Sequence, residues 1–292
     1  MTVLARLDRV SRHYGALTAV DDVSLEIRAG EMLGLLGPNG AGKTTVISLL
    51  QGLRRPSSGT VELFGGDPRD AVTRQHLGST PQESALPAAL TAREVIDFVG
   101  GHFAERLTSA ELAAEFGLED LLKRQTGALS GGQKRRLSVA LAFVGRPRLV
   151  LLDEPSTGLD VDARRALWDA VRRQHANGAT VVVTSHYLEE VEALADRVVV
   201  LRAGRVIADD ALGNVIARVG LSWVRFESGE AVSSLRGAVR HEVDGRRHSF
   251  AVRDSDAFVA ELVRSGIHFE GLSVRGATLE EAFLNLTDEG GA

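Results

Sequence analysis

Hydrophobic and polar positions follow two periods along the chain, and the changes of period mark its elements. Residues 3–9 and 17–27 alternate apolar and polar side chains, which predicts half-exposed strands. Glu31 to Leu36 is a short apolar run ending at Gly37, which predicts a buried strand. A glycine-rich turn leads from it into a helix through Val46 to Leu50, and Val61 to Leu63 predicts another short strand. From Thr91 to about Gly145 the spacing is helical, in LTAREVIDFVGG, SAELAAEFGL and KRRLSVALAFVG. Strands at 149–152, 180–184 and 197–201 then alternate with helices at 163–174 and 188–195. Such alternation predicts a mostly parallel sheet covered on both faces, interrupted by a helical subdomain at about 91–145.

Near Gly213 the texture changes. SWVRFES, RHSFAVR and IHFEGLSVRG predict three strands, with helices at about 255–265 and 278–287. The expected organisation is an α/β domain over residues 1–213 and a small α+β domain over 214–292.

Composition narrows the function classes. At 292 residues, 44% hydrophobic and 25% charged, the chain suits a large folded core. A net charge of -5 argues against a broad nucleic-acid footprint, so no nucleic-acid partner is expected. With no cysteine, disulfides, zinc thiolates and thiol nucleophiles are excluded. The first fifteen residues carry Arg6, Asp8, Arg9 and Arg12 and lack the apolar core of a signal peptide. No run approaches the roughly 20 apolar residues of a membrane span, so work at a membrane would go through a partner.

Chemistry enters at Gly37-Pro38-Asn39-Gly40-Ala41-Gly42-Lys43-Thr44, which satisfies G-x-x-x-x-G-K-[ST] between a strand and a helix. Glycines let successive backbone N–H groups approach phosphate oxygens, and the helix turns its positive end toward the same anion. Lys43 is placed for the β and γ phosphates and the Thr44 hydroxyl for Mg²⁺. The apolar run Leu149 to Leu152 ends in Asp153 and Glu154, carboxylates at the carboxyl edge of a parallel sheet. Asp153 is expected to hold Mg²⁺ through water and Glu154 to act as general base on the attacking water. These two motifs predict a P-loop nucleoside triphosphatase. The basic triplet Lys134-Arg135-Arg136 reads as a solvated helix face.

Leu129-Ser130-Gly131-Gly132-Gln133, twenty residues before Asp153, closely resembles the signature motif of the ABC (ATP-binding cassette) family. The resemblance covers residues 3 to about 210. It implies a P-loop cassette with a mostly parallel core sheet, an antiparallel β subdomain and a helical subdomain. It further implies ATP and Mg²⁺ as cofactors and a homodimer of cassettes. In that dimer Ser130, Gly131, Gly132 and Gln133 clamp the ATP held by the other chain. Other positions fall in register. Gln82, in STPQES, matches the glutamine that ligates Mg²⁺ and water, and His186, in VTSHYLEE, matches the switch histidine at the γ-phosphate. Ser156 to Asp160 matches the loop along the dimer interface, Tyr14 the aromatic that stacks on adenine, and Thr45 extends the phosphate loop. GATLEEAFLNLT, at 276–287, is similar to the end of the ATPase subunits of daunorubicin/doxorubicin-resistance exporters. That similarity implies a bacterial exporter motor on the cytoplasmic face of the membrane, acting through a separate permease. The alternative is a cytosolic ABC ATPase of the cluster-assembly, translation or repair type.

Overall fold

The structure, a computed structural model, describes residues 2–80, 86–230, 232 and 235–288. It divides into two units, Met1–Ala211 and Leu212–Ala292. Unit 1 begins with strands β1 (Val3–Tyr14), β2 (Leu17–Arg28) and β3 (Met32–Leu36), then helix α1 (Lys43–Leu50). Strands β4 (Ser58–Leu63) and β5 (Leu77–Ser79) precede helices α2 (Ala92–Gly100), α3 (Ser109–Phe116) and α4 (Gly131–Leu141). The alternating part follows as β6 (Leu149–Asp153), α5 (Val161–Ala176), β7 (Thr180–Thr184), α6 (Leu188–Leu194), β8 (Arg197–Arg202) and β9 (Arg205–Ala211).

Strands β2, β1 and β4 form one antiparallel sheet in that order, and the second sheet runs β5-β6-β7-β3-β8-β9. Its first five strands are parallel, with β9 added antiparallel at the edge. This is the mixed α/β arrangement the sequence predicts. The near-continuous apolar runs of β3, β6 and β7 follow from burial on both faces. Successive side chains point oppositely, so Val150, Leu152, Val181 and Val183 join α4 and α5 in one core. Leu33, Leu35, Leu149, Leu151 and Val182 join α1 and the antiparallel sheet in another.

Three helices of the 91–145 segment start in the same way. Thr91 with Glu94, Thr108 with Glu111 and Ser130 with Gln133 each form a reciprocal capping box, which satisfies two backbone donors that a helix start otherwise leaves open. The third box starts α4 at Gly131, so the signature residues are themselves the first turn.

Unit 2 holds α7 (Leu212–Ala217), β10 (Ser222–Glu227), β11 (Ala238–Asp244), β12 (Arg247–Val252), α8 (Ser255–Arg264), β13 (Glu270–Gly276) and α9 (Leu279–Asp288). Its sheet is antiparallel in the order β11-β12-β10-β13. Val224, Phe226, Phe250 and Val252 pack under Phe258 and Leu262 of α8. The expected three strands are four: β11 is exposed at all seven positions, so no buried face marked it in the sequence. On β11, His241 stacks on Phe250 with ring centroids 3.9 Å apart, and its Nε2 lies 3.1 Å from His248 Nδ1.

Two outcomes follow. Leu151 is fully buried, and Leu151→Ala should lower unfolding free energy by about 2–5 kcal/mol in urea titration. Partial desolvation by the side chains around its ring, with the neighbouring His248, holds His241 below the ordinary histidine range. The unfolded chain therefore takes up this proton first, so the stability is present above about pH 6.5 and lost as pH falls through the lowered folded value. Hydrogen exchange of β11 and β12 should quicken on acidification, and His241→Asn should flatten that dependence.

Candidate active site

Three strand ends carry the site. Asp153 of β6 pairs with Thr184 of β7, and Leu35 of β3 pairs with the same Thr184. The outer two ends are therefore two strand spacings, roughly 10 Å, apart, with Thr184 between them.

The turn after β3 is possible only with glycine at two places. Gly37 has φ 155°, and a Cβ there would sit 2.4 Å from the Leu201 carbonyl oxygen. Gly42 has φ 108°, and a Cβ would sit 2.5 Å from the Ala19 oxygen. Gly42 is also the N-cap of α1, with no side chain capping it and no acid in the first turn. The helix thus offers unpaired donors and its positive end to an anion. Lys43 is 8% exposed, and its Nζ donates to the carbonyls of Gly37 (2.7 Å) and Pro38 (3.1 Å). Burial holds this ammonium below its usual range, offset in part by Glu154 and Asp153.

A cleft of about 350 Å³ collects nine of the predicted residues, Tyr14, Asn39, Gly40, Ala41, Gly42, Lys43, Thr44, Thr45 and Glu154, while Gly37, Pro38 and His186 are not in its lining. Tyr14 is 37% exposed, with the Arg12 guanidinium 4.6 Å from its ring centroid. A larger groove of about 760 Å³ shares Thr44 and adds Thr80 and Asp153. Thr44 thus borders both the cleft and the groove that holds the buried Asp153.

Asp153 accepts a hydrogen bond from Thr184 Oγ1 on its Oδ1, and its own N–H donates to Thr80 Oγ1 at 3.0 Å. Glu154 has φ 49°, a left-handed conformation that costs a non-glycine residue about 1–2 kcal/mol. Its N–H donates to the Thr184 carbonyl (3.0 Å) and Thr184 Oγ1 (3.2 Å), which hold the strained residue in place. Glu154 Oε2 lies 3.4 Å from His186 Nδ1, an ion pair when that imidazole is protonated. Thr157 Oγ1 donates to the same Oε2 at 3.4 Å.

Ser130, Gly131, Gly132 and Gln133 line neither opening. The Ser130 hydroxyl accepts from the Gln133 N–H at 3.2 Å, and Ser130 itself is exposed. Gln82 lies outside the described residues.

The basic triplet corrects one expectation. Lys134 and Arg136 are half-buried, but Arg135 is only 7% exposed and is not part of a solvated face. Its Nη2 donates to the carbonyls of Asp153 (2.5 Å) and Glu154 (2.7 Å), and its Nε to that of Pro155 (3.1 Å). A signal existed: Arg135 shares the helical stripe of Ser138, Val139 and Ala142, spaced three, four and seven residues on. The sequence reading also missed Thr80, Thr184 and Glu190. Glu190 is fully buried, accepts from Trp168 Nε1 at 2.9 Å, and is pushed above the carboxylate range by burial. For the threonines no local signal exists, since their role comes from strand order alone.

The ABC transporter family model matches residues 20–157. A daunorubicin resistance ATP-binding protein of Streptomyces coeruleorubidus is 36% identical over 97% of this chain and 95% of its own length. A Nod factor export ATP-binding protein of Burkholderia lata is 37% identical over 95% of each chain. Among solved structures, the ATP-binding subunit of an ABC transporter is 31% identical, with TM-score 0.67 over 74% of this chain and 93% of that one. A dimeric cassette in a post-hydrolysis state, bound to ADP and phosphate, shares the fold at 24% identity, with TM-score 0.65 over 71% of this chain and 98% of that one. The chain belongs to the ABC transporter family and is an ATP-hydrolysing, ATP-binding cassette of that family.

Proposed function

We propose that this cassette works as half of a head-to-tail homodimer that encloses two ATP–Mg²⁺ and drives export through a separate transmembrane permease. The observation that carries the dimer is the division of the phosphate-binding groups. Lys43, Thr44, Thr45 and Glu154 line one cleft, while the exposed N-terminus of α4, at Ser130, lies outside it. A second chain supplies that helix start to the ATP of the first. Adenine stacks on Tyr14, and the backbone amides of 37–45 surround the phosphates. Lys43 exchanges the carbonyls of Gly37 and Pro38 for β and γ phosphate oxygens.

The Thr44 hydroxyl and Asp153 carboxylate, on one groove, are a hard oxygen set suited to Mg²⁺, with Gln82 as a third ligand. When bound, Mg²⁺ neutralises charge on the phosphates. Glu154 takes the proton of the attacking water, and His186 beside it faces the γ-phosphate. Loss of the γ-phosphate removes the bridge between the chains and reopens them.

No helix among the described residues is long and apolar enough to cross a membrane. In this reading the permease supplies the membrane path, and the cassette sits on the cytoplasmic face. The relatives named for daunorubicin resistance and for Nod factor export support an exporter, with a drug, antibiotic or lipid-like cargo.

Glu154→Gln should keep ATP affinity, lose about 10²- to 10⁴-fold in turnover and accumulate an ATP-dependent dimer in light scattering. Native turnover by that variant would remove Glu154 from the role of base. Gentle solubilisation of membranes should recover a polytopic partner that raises ATPase activity. Recovery of ribosomes, nucleic acid or assembly proteins alone, with no membrane partner, would keep the cassette chemistry and overturn the transporter.

A further inference from the structure

The three carbonyls that Arg135 holds belong to the segment that presents the catalytic carboxylate. The ladder of β6 stops at Asp153, so beyond it no strand fixes the peptide planes. On the N–H side Glu154 is tied to Thr184. On the carbonyl side it is tied to Arg135, whose planar fork also spans Asp153 and Pro155. With φ at 49°, Glu154 holds a strained backbone conformation that persists only while its surroundings fix it, so these ties set where its carboxylate points. The carboxylates of Asp153, Glu154 and Glu190 oppose the buried charge.

The other end of the same helix is the signature. Ser130 caps α4, and Arg135 follows five residues later, about 7.5 Å along the axis. A helix of this length moves as a rod, and its start is locked by the Ser130–Gln133 box. A shift of the helix as Ser130 closes on a nucleotide therefore moves the guanidinium and the carbonyls it holds.

We infer that Arg135 is a positioning residue that carries closure of the signature helix on one nucleotide to the catalytic carboxylate of its own chain, which faces the other nucleotide. The inference rests on the sandwich-dimer reading above and adds to it a physical link between the two sites. Arginine suits the task because one rigid group reaches several carbonyls. A lysine ammonium is a point charge on a flexible stem.

The test uses the full chain with Arg135→Met and, should that variant fold poorly, Arg135→Lys, measuring turnover, ATP affinity and melting temperature. The methionine variant should lose about a hundredfold in kcat, the scale of an ångström-sized misplacement, with ATP affinity unchanged. It should also lose the sigmoidal dependence of turnover on ATP that the link produces in the native chain. The lysine variant should recover part of the rate. Native turnover in the methionine variant overturns the inference. So does a joint fall of ATP affinity and melting temperature in both variants, which marks a merely structural role. A hyperbolic ATP dependence in the native chain overturns the link between sites. Failure of the underlying dimer reading is distinguishable, because mixing Lys43→Ala chains with Ser130→Arg chains then restores no hydrolysis, whatever stands at 135.

Discussion

Everything catalytic in this cassette depends on one row of backbone at the carboxyl edge of a parallel sheet. Neighbouring strands must lie about 4.8 Å apart to share hydrogen bonds, and the order β6-β7-β3 fixes which ends stand side by side. The order puts the phosphate loop after β3, the acids after β6 and Thr184 between them. Thr184 works as a hub. Its hydroxyl donates to Asp153 and lies within hydrogen-bond distance of the Glu154 N–H, while its carbonyl also receives that N–H. A loop alone could not hold two acids and an ammonium to such tolerances. Buried strands can, because the great majority of buried backbone groups are already committed to hydrogen bonds.

The two acids differ in how they are held, and the difference suits the roles proposed for them. Asp153 is the last residue of its strand, 5% exposed, and tied through both its N–H and its carboxylate. Glu154 lies beyond the ladder in a strained backbone conformation with its carboxylate partly open. A metal ligand gains from rigidity. A base gains from a carboxylate that reaches a water, and the surrounding bonds keep the strain from relaxing.

How much of this could be read beforehand varies with range along the chain. Lys43, Thr44, Asp153, Glu154 and Ser130 could be singled out because each lies in a short motif, and the strands and helices expected beside those motifs are present. The helical subdomain was legible from period, and its start signals were explicit in Thr91–Glu94 and Thr108–Glu111. Arg135 was misread because charge was weighed over the buried stripe it shares with Val139 and Ala142. Thr80 and Thr184 act only through strand order, which spans 73 and 31 residues of sequence to Asp153. Strand β11 escaped because an exposed edge strand shows no apolar face.

The most direct test of the account asks whether the phosphate loop and the signature of different chains build one site. Lys43→Ala disables the first and Ser130→Arg blocks the second, and each variant alone should be inactive. Mixed dimers join the intact phosphate loop of the Ser130 variant to the intact signature of the Lys43 variant. Mixing the two inactive chains should therefore restore Mg²⁺-dependent ATP hydrolysis. A mixture that forms dimers and stays inactive would contradict a site shared between chains.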